Sequence, residues 1–203
     1  NVDFKDNPSR GTIEYFKLWN GLSAFNSTAT WTMYEGSFSA FVPVKSVQLR
    51  QQVLAFNLWT RYTNRWNDYE LVNNYPEYEH RPSPFMGACL GGRFRFRGYP
   101  EARFNDCAAW LYTMEYRMIP QWNPLRNWKV MQWLNVKTDW IQFVAFAESG
   151  RVAPNWSLKT FHQDMKYDAG LGVRIFANQM IIRVDSAFSP EGPQLQMFIS
   201  QSF

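Results

Sequence analysis

The sequence predicts an all-β fold, an antiparallel transmembrane β-barrel of about eight strands in a single domain spanning residues 1–203. Three observations predict it. Apolar and polar side chains alternate with period two along many segments. Aromatic residues make up 18% of the chain, although the mean hydropathy of -0.41 is that of a water-soluble protein. Short and long connections also alternate, as they do between the strands of outer-membrane barrels.

The predicted strands are the segments in which the alternation can be read directly. They cover residues 12–19, 30–42, 47–63, 107–118, 140–148, 169–176, 180–188 and 194–203. The last segment is the cleanest, because Leu195, Met197 and Ile199 alternate with mostly polar neighbours. The first is the weakest. No segment has a convincing helical period.

The connections predict which ends of the strands lie together. Residues 43–46 and 177–179 are short turns, whereas residues 64–106 form a very long loop and residues 150–166 an intermediate one. This arrangement indicates short periplasmic turns and one long extracellular loop at about 64–106. Residues 120–132 are longer than the pattern expects at the short-turn end, and we have no account of them.

The two faces of the predicted strands favour a membrane barrel over a soluble β-sandwich. The apolar faces end in Trp, Tyr and Phe, as an interfacial girdle does. The polar faces carry small residues and opposed charges, which suit a lumen: Glu115, Arg117, Glu148, Arg174, Arg183 and Asp185. Because strands with alternating faces average out in a hydropathy window, this interpretation also explains the low mean hydropathy.

Composition excludes several other classes. No stretch approaches the roughly 18 apolar residues of a spanning helix. The net charge of +4 is scattered along the chain, so no nucleic-acid partner is expected.

The histidines are His80 and His162, too few and too separated for a zinc site with Cys89 and Cys107. We expect no metal and no cofactor. The cysteines bracket part of the long loop, and one disulfide between them is expected; two unpaired thiols are the alternative.

Four motifs occur in an order typical of a known family. Residues 6–11 read Asp-Asn-Pro-Ser-Arg-Gly, and residues 90–92 read Leu-Gly-Gly before the tetrad Phe96, Arg97, Gly98 and Tyr99. Residues 146–150 read Phe-Ala-Glu-Ser-Gly, and residues 170–203 complete the set. The chain resembles the C-terminal half of the bacterial surface antigen superfamily. Protein-assembly factors, two-partner secretion transporters and patatin-fused barrels share this outer-membrane barrel.

The resemblance implies a specific contact inside the barrel. The long loop would fold back into the lumen, where Arg97 would pair with Glu148 and pack on Phe146. A buried arginine needs such a carboxylate and aromatic face. Glu148 stands where the family has Asp, one methylene shorter, which alters the fine geometry. The alternative is that Arg97 is a solvated loop residue. Phe203 would mark the C-terminal seam of the barrel.

The resemblance also implies a function without covalent chemistry. The protein would lie in the bacterial outer membrane, among lipid and lipopolysaccharide, and promote insertion or export of client β-barrel or secreted proteins. The first strand and the C-terminal strand ending at Phe203 would pair weakly at the barrel edge and offer backbone groups to a client strand. A passive structural barrel, acting as an anchor or an oligomeric scaffold, is the alternative.

Two further expectations concern completeness and catalysis. Full barrels of the family have about sixteen strands, so a second copy or a missing N-terminal half would complete this one. The chain starts without Met or a signal peptide, which indicates a processed or trimmed product. A hydrolase site built from His162, Asp164 and either Ser157 or Ser149 is conceivable. No motif fixes their spacing, so no enzyme is expected.

Overall fold

One eight-stranded antiparallel sheet dominates the computed structural model, which describes residues 1–21, 30–64, 69–78, 82, 87–123, 125, 129, 133 and 137–199. The all-β prediction is confirmed, and each of the eight predicted strands overlaps one strand of this sheet. In chain order the elements are β1 (Gly11–Gly21), β2 (Trp31–Pro43), β3 (Leu49–Thr63), β4 (Tyr69–Val72), β5 (Tyr75–Tyr78), β6 (Ala88–Leu90), β7 (Phe104–Asp106), β8 (Ala108–Pro120), β9 (Thr138–Ala153), α1 (Leu158–Phe161), β10 (Lys166–Ala177), β11 (Met180–Ser189) and β12 (Gly192–Ile199).

Neighbouring strands of the main sheet follow one another in the order β1-β2-β3-β8-β9-β10-β11-β12. Strands β4 to β7 are not part of this sheet. They form two small hairpins, β4–β5 and β6–β7, which lie within the predicted loop at 64–106. The alternation of side chains did not predict these hairpins. The β4–β5 turn places Asn73 and Asn74 at φ values of 53° and 66°, a left-handed conformation that asparagine tolerates.

The main sheet is open. β1 pairs with β2 and β12 pairs with β11, but within the described residues no ladder joins β1 to β12. The predicted closure into a barrel is therefore not formed by this part of the chain. Phe203, predicted at the seam, lies outside the described residues, as does His80.

The two faces of the sheet have opposite polarity. The face that the segment 87–107 covers is called the inner face below. On the opposite, outer face large apolar side chains stay exposed, with Phe16 at 70%, Leu171 at 66% and Leu195 at 76%. On the inner face, the charged side chains of Glu115 and Arg174 are fully buried. This is the reverse of a water-soluble sheet, in which charged side chains face water and apolar ones are covered.

The inner face is covered by the segment 87–107, which β6 and β7 hold together. Its apolar side chains form the main core with the sheet: Trp59, Leu90, Phe96, Tyr99 and Leu111 are each at most 2% exposed and pack as one cluster. Among the described residues, no helix has the length and apolar content needed to cross a membrane.

Candidate functional site in the loop over the inner face

Residues 96–99, called the loop tip below, are the innermost part of the segment that covers the sheet. Gly91 and Gly92, at φ values of 117° and 98°, reverse the chain after β6, and the Gly92 N–H donates to the Tyr99 carbonyl at 2.9 Å. Phe96 is fully buried at a φ of 68°. The tip is therefore a fixed turn whose backbone and side chains both face the sheet.

Arg97 is the centre of the site. Its guanidinium lies 2.9 Å from Glu115 Oε1, 3.2 Å from Glu148 Oε1 and 3.1 Å from Asp185 Oδ2, and only 1% of its side chain is exposed. The guanidinium carbon lies 3.5 Å from the centre of the Phe146 ring. Burial alone would lower the pKa of Arg97, but the three carboxylates raise it above its ordinary value. The arginine is thus permanently charged.

The structure brings together Arg97, Glu148 and Phe146, the three residues that the resemblance connects. Both carboxylate oxygens of Glu148 contact the loop tip. Oε1 lies 3.2 Å from the Arg97 guanidinium, and Oε2 accepts the Arg97 backbone N–H at 2.7 Å. The extra methylene of Glu relative to Asp leaves room for this two-point contact. Arg97 is therefore not the solvated loop residue of the alternative interpretation.

Gly98 extends the contact to the next strand. Its N–H donates to Asp168 Oδ2 at 2.5 Å, and the Arg97 carbonyl accepts from Gln196 Nε2 at 2.8 Å. A Cβ on Gly98 would lie 2.5 Å from the Asp168 Cβ, so this position requires a residue without a side chain.

Five consecutive strands each supply one side chain to Arg97 or Gly98. In order from β8 to β12 they are Glu115, Glu148, Asp168, Asp185 and Gln196. The alternation on the inner face identified three of these as lumen residues. Asp168 was missed as a site residue because the predicted strand began one residue later; extending the pattern of Gly170, Gly172 and Arg174 by one position would have included it.

Further arginines balance the carboxylates beneath the tip. Arg174 contacts both oxygens of Glu115 at 2.8 Å, and Arg117 Nε lies 2.7 Å from Glu115 Oε2. Arg183 Nε lies 3.1 Å from Asp185 Oδ2. Such a network avoids isolated buried charges, which would be far more costly than paired ones.

A second polar cluster holds the base of the loop near β1–β3. Glu35 accepts from Tyr15 Oη at 2.9 Å, from Trp59 Nε1 at 3.0 Å and from Arg61 at 2.6 Å. Arg95 also donates to Glu35 at 3.0 Å, and its guanidinium stacks 4.1 Å from the Trp59 ring. The sequence did not predict this cluster, because no local pattern links Glu35 to Arg95.

The N-terminal segment reaches the same inner face from the other end of the strands. The Asn7 side chain donates to Gln51 Oε1 and accepts from Gln142 Nε2, both at 3.1 Å. It therefore bridges β3 and β9 across β8. Asn7 belongs to the first family-like motif.

The predicted disulfide is wrong in this structure, because no disulfide joins Cys89 to Cys107. The β6–β7 register places Cys89 opposite Asn105, two residues from Cys107. The Cys107 thiol instead lies 2.9 Å from the Thr63 carbonyl. Burial raises the pKa of both thiols, to about 11 for Cys107.

The conceivable hydrolase residues are not assembled into a triad. His162 contacts the Leu158 carbonyl through Nδ1 at 2.6 Å and Tyr112 Oη through Nε2 at 2.9 Å. Asp164 pairs with Arg151 at 3.7 Å, and Ser149 Oγ donates to the Lys166 carbonyl.

The described residues contain no group of three or more His, Cys, Asp or Glu side chains arranged to hold a metal ion. No protein-family model matches the chain, and no curated protein matches it.

Proposed function

We propose that the chain forms part of an outer-membrane β-barrel that promotes insertion or export of other proteins without covalent chemistry. The observation that carries the proposal is the inverted polarity of an open sheet. Exposed Leu, Met and Phe side chains cover its outer face, and fully buried ion pairs lie on its inner face. Monomeric soluble proteins rarely expose contiguous apolar surface on this scale, whereas lipid would cover it.

An unpaired edge supplies the means of acting on another protein. Among the described residues β12 pairs only with β11, so its outer edge presents backbone N–H and C=O groups to an incoming strand. The start of β1 is already bridged to Asn1 and Val2. β12 is also the strand that the loop contacts through Gln196 and through Phe198, whose ring lies 4.6 Å from that of Phe94. A client strand that paired with β12 would therefore be next to a strand whose position the loop tip fixes.

A passive barrel is the second candidate, and one observation favours it. The segment 87–107 packs on the inner face through a buried core that would obstruct passage along the sheet. In that case the edges of β1 and β12 would pair with a second copy of the chain or with an N-terminal half, and the barrel would serve as an anchor or scaffold.

Reconstitution separates the two candidates. The full-length protein is placed in liposomes, and insertion of an unfolded outer-membrane barrel is followed by its protection from protease. Liposomes that contain an unrelated outer-membrane barrel are the control. Faster insertion than in the control supports the assembly function, and equal rates support the passive barrel. Failure of the full-length protein itself to enter liposomes would refute both.

A further inference from the structure

The connection between β9 and β10 folds onto the outer face of the sheet, away from the inner face that the long loop covers. Trp156 Nε1 donates to Thr60 Oγ1 at 2.8 Å. The Phe161 ring stacks on Trp110 with centroids 5.4 Å apart, and His162 Nε2 lies 2.9 Å from Tyr112 Oη. Because Trp110 and Tyr112 point outward on β8, α1 lies against the apolar surface.

An apolar groove begins directly next to α1 on the same outer face. Its volume is about 550 Å³. Ala147 and Ala169 are small residues among the larger side chains that line it, which include Phe56, Met114 and Tyr167. Tyr112 belongs both to the groove and to the contact with His162. Trp110, under α1, precedes Tyr112 by two residues, a separation of about 7 Å along a strand.

The connection adjacent to the groove is basic. Between residues 151 and 165 the charged side chains are Arg151, Lys159 and Asp164, a net charge of +1 from two cations and one anion. Lys159 is exposed and Asp164 is 93% exposed. Lys166 begins β10 on the opposite, inner face, because it shares the side of the strand with Asp168 while Tyr167 points into the groove. Trp156 and Leu158, at 43% and 51%, add exposed apolar surface beside these charges. Aromatic, aliphatic and basic side chains together are typical of a membrane interface.

We propose that this corner binds an anionic, phosphate-bearing lipid of the leaflet on the long-loop side. An acyl chain fills the groove of Ala147 and Ala169, and the phosphate lies against Lys159. The inference rests on the proposed membrane location, but not on any action upon a client protein. It identifies a lipid held at one place on the outer face, where charge and groove coincide.

The test measures lipid retained by the full-length protein. The protein is reconstituted into phosphatidylcholine nanodiscs doped with bisphosphorylated lipid A, and bound lipid A is counted by native mass spectrometry. Replacing Lys159 by Ala is expected to weaken binding about fivefold, the usual effect of one surface charge near an anionic membrane. The matched control replaces Lys45, which is exposed at the opposite end of the sheet, and should leave binding unchanged.

Two more variants keep the outcome unambiguous. Asp164→Asn removes the single anion of the connection and should strengthen binding, a gain that misfolding cannot mimic. Ala147→Phe fills the groove and should lower binding of lipid A even after its phosphates are removed. Equal retention by all variants, or an equal loss in the Lys45 control, would overturn the proposal. A protein that does not enter nanodiscs refutes the proposed function instead.

Discussion

Replacing Arg97 by Met should destabilise the protein far more than the same replacement elsewhere on the loop. Arg97 is shared by three carboxylates within 3.2 Å. Met retains most of the length and apolar surface of the side chain but leaves Glu148 without this cation. The other two carboxylates keep their contacts with Arg174, Arg117 and Arg183. All four groups are nearly inaccessible to solvent, at 0–2% exposure. Removing one partner of a buried ion pair costs about 3–5 kcal/mol, because the remaining charge stays buried. We expect a loss of that size.

The matched control is Arg103→Met. Arg103 lies on the same segment and pairs with Glu191 at 2.8 Å, but the two side chains are 49% and 36% exposed. An exposed pair contributes about 0–1 kcal/mol. Urea titration of the reconstituted protein, followed by tryptophan fluorescence, gives both free energies of unfolding. Trypsin cleavage after Arg93 and Arg95 reports whether the tip has left the sheet. Equal stability and equal cleavage in the two variants would refute the argument that Arg97 anchors the loop.

Three further predictions test parts of the fold around this site. Cys107 and Cys89 should resist iodoacetamide at pH 7 and react once the protein is unfolded, because burial raises the pKa of both thiols. An intact mass unchanged by reductant would confirm that no disulfide joins them. Burial alone would raise the pKa of Asp3, but hydrogen bonds from Ser9 and Arg10 lower it to about 2. Because the folded-state pKa is depressed, ionised Asp3 stabilises the N-terminal turn at pH values above its ordinary pKa of 3.8, and this contribution is lost as the pH falls through about 2. Trypsin should therefore cleave the Asp3→Asn variant faster than the unchanged protein at neutral pH. Equal cleavage rates would contradict this prediction. Gly98→Ala should cost about 1–3 kcal/mol by crowding against the sheet, whereas unchanged stability would show that the tip can shift.

The sequence predicted the large sheet well because alternation is a local signal that each strand carries by itself. The same alternation placed Glu148 and Phe146 on the inner face, and a resemblance supplied Arg97 as their partner. The alternation could not predict which segments that are distant in the sequence lie next to each other in the fold. Glu35 and Arg95 are 60 residues apart, and no local pattern connects them. The wrong disulfide has the same origin, since two cysteines can bracket a loop without facing each other.

The short hairpins within the loop were missed for a different reason. β6 and β7 have three residues each, and their pairing depends on packing against the inner face more than on the period of their side chains. Closure of the sheet is likewise a property of strand ends that local alternation does not report. The described residues show open edges where the sequence predicted a closed barrel.

The contacts of the loop tip also constrain the order in which this protein can fold. The residues that the tip binds on β8 to β12 are between 18 and 99 positions away along the chain. Contacts that close such long loops are slow to form, because chain entropy must be lost before they are made. The tip can make its full set of bonds only after all five strands are in register. Strand pairing should therefore come first, and docking of the tip should be the late step that makes the assembled sheet cooperative.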